Sequence, residues 1–336
     1  MVIDGQARWV AGFIVRRLLW TIPVLWVVVT IVFFMMRSIG GDPFRRGPML
    51  GLSNVGWVKY GDYQPPAIRR NQRERYGLDL PWYQQYGNYL RGVATLDFGP
   101  SLSYRYVRVN ELIKQLAPRS LALAGLAFVW ALALGIPIAV LAALRPGSPF
   151  DLLARGFATL GIALPNFFVA TLLVYYLAVT LNVLPTSGWT EGWTHKILPS
   201  FTLGLLPMAY CVRLLRASML ETLELDYIRM ARGKGLRQRT VVLRHALRNS
   251  LIPLITVLGP MLGYLVTGTF VIENVFSVPG IARFYVASVL GRDYTVVLGL
   301  TVMLAVIIVL ANLAVDVLHR LLDPRLRDAE AAYARA

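Results

Sequence analysis

The chain has 336 residues, of which 56% are hydrophobic and 15% charged, and its mean hydropathy is +0.56. The charged fraction is far below the roughly 25% of ordinary globular proteins, which excludes a water-soluble domain and points to a polytopic membrane protein. The formal charge of +16 does not indicate nucleic acid, because membrane proteins gather Lys and Arg in short cytoplasmic loops and no soluble domain is left to carry a binding face.

The first predicted element is Leu18–Met36, 19 residues without a charge, introduced by Arg16 and Arg17. A cleavable signal sequence has an apolar stretch of about 7–15 residues and a small-residue cleavage site. This run is longer and ends at Arg37 without such a site, so it reads as a retained span. Five more runs suffice to cross a hydrocarbon core of about 30 Å, which takes about 20 helical residues. They are Leu121–Leu144, Phe157–Leu184, Leu198–Leu220, Leu251–Phe276 and Tyr294–Leu318. Pro199 and Pro207 interrupt the fourth, and Arg213 and Arg216 shorten it. Interior prolines are tolerated in spans where neighbours satisfy the freed carbonyls.

Basic residues set the expected orientation. With a cytoplasmic N-terminus, the inside segments hold 18 Lys and Arg, the two short outside loops hold Lys196, Arg283 and Arg292, and the other 13 fall in Arg37–Arg119, which is too long for the rule to count. Both termini are then cytoplasmic. The organisation expected is a cytoplasmic N-terminus and first span over 1–36, an extracytoplasmic segment over 37–120, a core of spans two to six over 121–318 with a cytoplasmic loop at 213–249, and a cytoplasmic tail over 319–336. The outer segment contains GGDPFRRGP (Gly40–Pro48) and many aromatics, among them Trp57, Tyr60, Tyr63, Trp82, Tyr83, Tyr86 and Tyr89. It suits an interfacial aromatic belt with amphipathic helices, or a docking surface for an extracytoplasmic partner. Cys211 is the single cysteine, so neither an intramolecular disulfide nor a cysteine metal site is available.

The loop between the fourth and fifth spans is the most informative stretch: DYIRMARGKGLRQRTVVLRHALRNSLIP, Asp226–Pro253. A helix over Glu221–Ala231 would place Glu221, Glu224 and Asp226 early and Arg229 and Arg232 at or beyond its end, a polarity that suits the helix dipole. Gly233 and Gly235 break it. In a second helix from Leu236, the residues Leu236, Thr240, Leu243, Leu247 and Leu251 form an apolar stripe, while Arg237, Arg244 and Arg248 share another face. A basic segment of this kind can lie on anionic headgroups or simply set topology. The turn ARGKGL (Ala231–Leu236) is what those readings leave unexplained. Headgroup binding needs one continuous helix, whereas the turn makes a compact knob suited to a groove on another protein.

This stretch resembles the cytoplasmic coupling segment of ABC-importer permeases of the peptide/nickel (dipeptide and oligopeptide) group. The general motif is E-A-A, three residues, G, nine residues, then I-x-L-P, and only Ala231, Gly235 and Leu247 fit it. Against the group's own version, DYIRxARxKGL…HALRN…P, nearly every position agrees. The likeness continues through Arg16-Arg17-Leu18, Gly41-Asp42-Pro43, YGLDLPWYQQY, LDFGPSL, GIPIAVLAAL, ENVFSVPGIARF, RDYTVVLG and AVDVLHRLLDPRLR. It is nearest to the first of the two permeases such systems carry.

The resemblance implies an all-α integral membrane protein with six transmembrane helices in the type I ABC-importer permease fold, in the bacterial cytoplasmic membrane. It implies as partners a second homologous permease, two ABC ATPases, an extracytoplasmic solute-binding protein and the lipid bilayer, and a cargo of di- or oligopeptides, with nickel chelates or another small solute as the alternative. The coupling residues it implies are Glu221, Asp226, Tyr227, Arg229, Ala231, Arg232, Gly233, Lys234, Gly235, Leu236, Arg237, Arg244, His245 and Arg248. Lys234 and Arg232 would meet an acidic rim on the ATPase, and Ala231 and Gly235 would permit close approach. No G-x-x-x-x-G-K-S/T motif occurs, so no cofactor is expected in this chain, and ATP and Mg²⁺ would be bound by the partner ATPases.

Other classes fit less well. An ion-coupled transporter calls for ionisable groups near mid-membrane and inverted repeats. Glu273 and Asp316 are the charges within the fifth and sixth spans, and both are placed near an interface. An intramembrane metalloprotease needs H-E-x-x-H, and His195, His245 and His319 are scattered. Gly259, Gly263 and Gly268 read as helix-packing positions in the fifth span.

Overall fold

A computed structural model describes residues 2–39, 70–71, 73–74, 76–104, 107–190 and 192–322. The segments Gly40–Pro48, Trp57, Tyr60, Tyr63 and the tail beyond Leu322 lie outside the described residues. Among the described residues the main helices are, in order, α1 (Val2–Ile39), α2 (Trp82–Thr95), α3 (Val109–Leu144), α4 (Pro149–Ala163), α5 (Asn166–Thr180), α6 (Thr194–Leu223), α7 (Asp226–Gly233), α8 (Gln238–Val275), α9 (Ile281–Leu290) and α10 (Tyr294–Leu322). The described residues contain no strand, only an isolated bridge between Pro100 and Arg108. Among the described residues five helices are long and apolar enough to span a membrane, and α4 with α5 supplies a sixth span if that bent pair is counted as one.

The third expected span is therefore corrected. Its apolar run is broken between Ala163 and Asn166, where the axes of α4 and α5 differ by 113°. Pro165 causes the break. Its ring disfavours helical geometry at the preceding residue, and Leu164 is extended (φ −86°, ψ 131°). The second span also starts earlier than expected, since α3 begins at Val109 and carries Lys114 and Arg119 within its first turns.

The chain divides into two compact units. The first comprises Met1–Leu121 with Val278–Ile307. Its core joins Val109, Leu112 and Leu116 to Ile281, Phe284, Val296 and Leu300. Gly299 allows the close approach within it, because a Cβ there would lie 2.6 Å from Val109 Cγ1. The amphipathic α2 leans on the end of α1: Tyr86 Oη meets Thr30 Oγ1 at 2.7 Å, and Phe33 packs on Tyr86 with ring centroids 5.2 Å apart. Trp82 and Tyr83 stay exposed, as a membrane-interface belt requires.

A buried carboxylate pins this unit together. Asp293 is fully buried and accepts hydrogen bonds from Ser101 Oγ, the Leu102 N–H (3.1 Å), the Ser103 N–H (3.0 Å), Thr295 Oγ1 (3.0 Å) and the Val296 N–H (3.3 Å). It thus caps the start of α10 and holds the 101–103 loop at once.

Nearby, on the surface, Arg108 Nη2 grips both oxygens of Asp97 at 2.8 and 2.7 Å. These bonds, with one from the Gly99 N–H, hold the Asp97 carboxyl below its usual range. A depressed carboxyl contributes stability above its unfolded pKa of about 3.9 and loses it as pH falls through the folded value. The thermal midpoint in detergent is expected to be steady from neutral pH to about 5 and to fall below about 4, and Asp97→Asn should remove part of that fall.

The second unit comprises Ala122–Ser277 with Ile308–Ala336. Here small residues bring spans into contact without the hydrophobic drive that water supplies. A Cβ on Gly204 of α6 would sit 2.6 Å from the Ala127 carbonyl of α3, one on Gly161 of α4 2.8 Å from Ala209 Cβ of α6, and one on Gly259 of α8 2.6 Å from Asn312 Oδ1 of α10. Gly259 is thus a packing residue, as expected, and Gly263 and Gly268 make looser contacts, at 3.8 Å from Ile308 and 3.5 Å from Tyr264.

The start of α4 explains another buried acid. Ser148 caps the helix by accepting the Asp151 N–H at 3.2 Å, and Pro149 occupies its first position. Asp151, fully buried, returns a bond to the Gly147 N–H (2.9 Å) and forms a two-pronged ion pair with Arg216 of α6, joined by Arg155 at 3.7 Å. Arg216 is therefore committed to structure. Glu273 is fully buried in α8, and Asp316 is half-buried in α10.

Candidate functional site

The basic loop stands on the second unit. Helix α6 continues to Leu223, so Glu221 belongs to the end of that span and not to the short helix that follows. Leu225 is extended (φ −69°, ψ 146°), and α7 starts at Asp226. With Asp226 in its first turn and Arg232 in its last, α7 has the expected match to its dipole. Arg229 reaches back to Asp226 at 3.5 Å across an exposed surface.

The turn after α7 is closed by three backbone bonds: the N–H groups of Lys234, Gly235 and Leu236 reach the carbonyls of Met230 (3.0 Å), Arg232 (2.9 Å) and Ala231 (3.4 Å). Gly235 sits at φ +74°, a region that costs other residues about 1–2 kcal/mol. A Cβ there would meet nothing within 4 Å, so the glycine serves backbone geometry and not close packing inside the chain. Gly233 has neither constraint.

Ile228 and Ala231, spaced i, i+3, are buried against Leu215 and Met219 of α6 and Val241, Val242, Ala246 and Leu254 of α8. Two polar ties add to this. Asn249 Nδ2 donates to Tyr227 Oη at 2.7 Å, and Ser250 Oγ donates to Thr222 Oγ1 at 2.9 Å. The knob is thus keyed to the core and cannot swing freely.

The second helix differs from the expected one. It begins at Gln238 and passes through a π-helical turn over Val241–Ala246 before continuing as the long α8. That turn displaces the simple 3.6-residue pattern. The buried face is Val241, Val242, Ala246 and Ser250, while Leu236 and Leu243 of the expected stripe are exposed. Leu247 is half-buried, and Arg237, Arg244 and Arg248 are exposed, with His245 half-buried.

Of the expected coupling residues, Ala231 is buried and Tyr227 partly so. Asp226, Arg229, Arg232, Gly233, Lys234, Gly235 and Leu236 cluster on the outer surface of the knob. Leu236, 42% exposed, is the one apolar side chain on that surface among the expected residues besides the partly buried Tyr227; reading by charge missed Leu225, 49% exposed, Met230, 62%, and Leu243, 49%. Their departure from the i, i+3 pair Ile228/Ala231 was the available signal. Exposed apolar groups ringed by charge are the usual mark of a contact surface.

Several apolar spans joined by short loops, with a rigid basic projection between two of them, define an all-helical integral membrane protein of the type I ABC-importer permease fold. Residues 135–328 match the family model for the binding-protein-dependent transport system inner membrane component. The chain belongs to that family. Its relatives include the oligopeptide transport system permease protein OppB of Salmonella typhimurium, 39% identical over 94% of this chain and 99% of the relative, and OppB of Haemophilus influenzae, 38% identical over the same shares. The dipeptide transport system permease protein DppB of Bacillus subtilis is 38% identical over 94% of this chain and 98% of its own. Among solved structures, a chain of the MetNI methionine ABC transporter in inward-facing conformations shares the fold, with a TM-score of 0.53 and 19% identity over 63% of this chain and 96% of that one.

Proposed function

We propose that this chain is a permease subunit of an ATP-driven peptide importer and transmits ATPase movement through α7 and its Gly235 turn. The relatives named for oligopeptide and dipeptide transport support the cargo, since they align along almost the whole chain. The observation that carries the mechanism is the keyed knob, exposed and basic outside and packed through Ile228 and Ala231 inside.

On this reading the partners are a second permease, two ATPases that bind ATP and Mg²⁺, and an extracytoplasmic binding protein. Both termini and the knob face the cytoplasm. Closure of the ATPases pushes the knob, and because it is fixed to α6 and α8 the push becomes rigid-body movement of the spans. Alternating access follows from contacts that differ between the two states. The chain itself performs no chemistry.

The test is ATP-dependent uptake of labelled di- and oligopeptides by the reconstituted complex. Absence of uptake for every peptide overturns the cargo assignment. Met230→Asp is expected to weaken ATPase binding roughly thirty-fold, since losing burial of such a side chain costs about 2 kcal/mol. Co-purification of the ATPases with the variant measures this, and unchanged recovery removes Met230 from the contact.

A further inference from the structure

Between α6 and α8 lies a groove of about 590 Å³, lined by Leu206, Pro207, Tyr210, Arg213, Pro260 and Tyr264 among others. Its lining is apolar and aromatic, and Arg213 is the one charged group among the described residues that form it. The contrast with Arg216 is informative. One turn further along α6, Arg216 is folded against buried Asp151, whereas Arg213 is exposed and forms no hydrogen bond or ion pair with any described residue. Arg213 stands ten residues short of the end of α6 at Leu223, about 15 Å back along the helix. A guanidinium at such a position is expensive in hydrocarbon and belongs where water or an anion can reach it. Tyr264 is held in place at the groove wall by Asn166 Nδ2, which donates to its hydroxyl at 2.7 Å.

We propose that Arg213 binds the C-terminal carboxylate of the peptide in transit and that this groove is part of the pathway. The inference rests on the peptide-permease reading above. Unblocked linear peptides, whatever their side chains, carry that carboxylate, and stripping its water is a major cost of entering an apolar passage. A single guanidinium offsets that cost through a two-pronged, charge-assisted pair. It therefore recognises the class without selecting a sequence. Apolar and aromatic walls, with no acid to repel the carboxylate, tolerate varied side chains around it. A second permease packed into the groove would leave no room for this role.

The experiment uses the complete complex with its own binding protein, reconstituted in proteoliposomes. Uptake of one labelled tripeptide is measured as the free acid and as the C-terminal amide, for the unaltered chain, Arg213→Gln and Arg213→Lys. Because the binding protein is the same throughout, its own preference cancels when acid-to-amide ratios are compared between variants. Arg213→Gln is expected to raise the apparent KM for the free acid about tenfold and to leave amide uptake unchanged, while Arg213→Lys restores most of the preference. Retained amide uptake also shows that the variant is folded and assembled. An unchanged ratio in Arg213→Gln overturns the role of Arg213. Equal loss of both peptides together with loss of the second permease on purification overturns it too, and marks the groove as a subunit contact. If the unaltered complex moves neither peptide, it is the cargo assignment that fails.

Discussion

Replacing Asp293 with alanine is expected to destabilise the first unit by about 4 kcal/mol or more, because each buried donor left without an acceptor costs about 1–3 kcal/mol. Three backbone N–H groups, at Leu102, Ser103 and Val296, and two hydroxyls, at Ser101 and Thr295, converge on this carboxylate. They come from a loop and a helix start separated by 192 positions in the chain. Asp293→Asn keeps the shape and one good acceptor, so its cost should be less than half as large. Thermal unfolding in detergent, followed by exposure of Cys211 to a thiol reagent and by proteolysis of the 96–108 region, separates the two units. The 96–108 region should become protease-sensitive at lower temperature in Asp293→Ala, well before Cys211, which is fully buried in the second unit. Simultaneous loss of both signals with no change in midpoint would rule out the pin.

The second large effect concerns Gly235. Proline fixes φ near −65°, opposite in sign to the +74° found here, and it removes the N–H that reaches the Arg232 carbonyl at 2.9 Å. The combined cost to the turn is about 2–4 kcal/mol, enough to remodel the loop. Gly235→Pro is expected to abolish ATP-driven uptake and to weaken recovery of the ATPases, while the chain still enters the membrane. Gly235→Ala should act in the same direction with about 1 kcal/mol. Gly233→Ala is the control for backbone geometry: Gly233 lies in α7 without a positive φ, and an added Cβ meets nothing within 4 Å in this chain, so the turn should keep its shape and the chain its thermal midpoint. Survival of uptake and docking in Gly235→Pro would make the basic loop a membrane-surface anchor.

Much of this architecture is legible in the residue order because the bilayer imposes a length that few other structures require. Long apolar runs locate α1, α6, α8 and α10, and the glycines at 233 and 235 locate the turn. Three features escape such reading for physical reasons. The break at Leu164–Pro165 lies inside a continuous apolar run, where hydropathy is blind and only the proline speaks. The start of α3 at Val109 is hidden because Lys114 and Arg119 occupy turns that precede its apolar core. The π-helical turn at Val241–Ala246 shifts the face that α8 buries, so of the stripe counted at 3.6 residues per turn Leu236 and Leu243 are exposed, while Leu247 and Leu251 still pack on the core. The buried acids share a different difficulty. Asp151 and Asp293 sit at helix starts with local capping bonds that surface acids also make, and the partners that mark them as buried pins, Arg216 and the 101–103 loop, lie far along the chain. On the exposed surface of the knob the charged members are legible in the sequence, but Met230 and Leu225 become conspicuous only when Ile228 and Ala231 are seen turned inward.

The first helix carries a consequence for how the protein is made. Among the described residues of α1, only Val29, Phe33 and Met36 are buried, all towards one end, while Leu19, Trp20, Ile22, Val24, Trp26 and Ile31 are open. Hydrocarbon solvates such a surface as well as protein does, and apart from the donor missing at Pro23 the backbone of the helix bonds within itself. It therefore stands alone in a bilayer as soon as it leaves the ribosome. Closing Phe33 against Tyr86 has to wait for α2, more than forty residues later in synthesis. Insertion and folding are thus separate events in time for this segment, and the aromatic contact belongs to the later one.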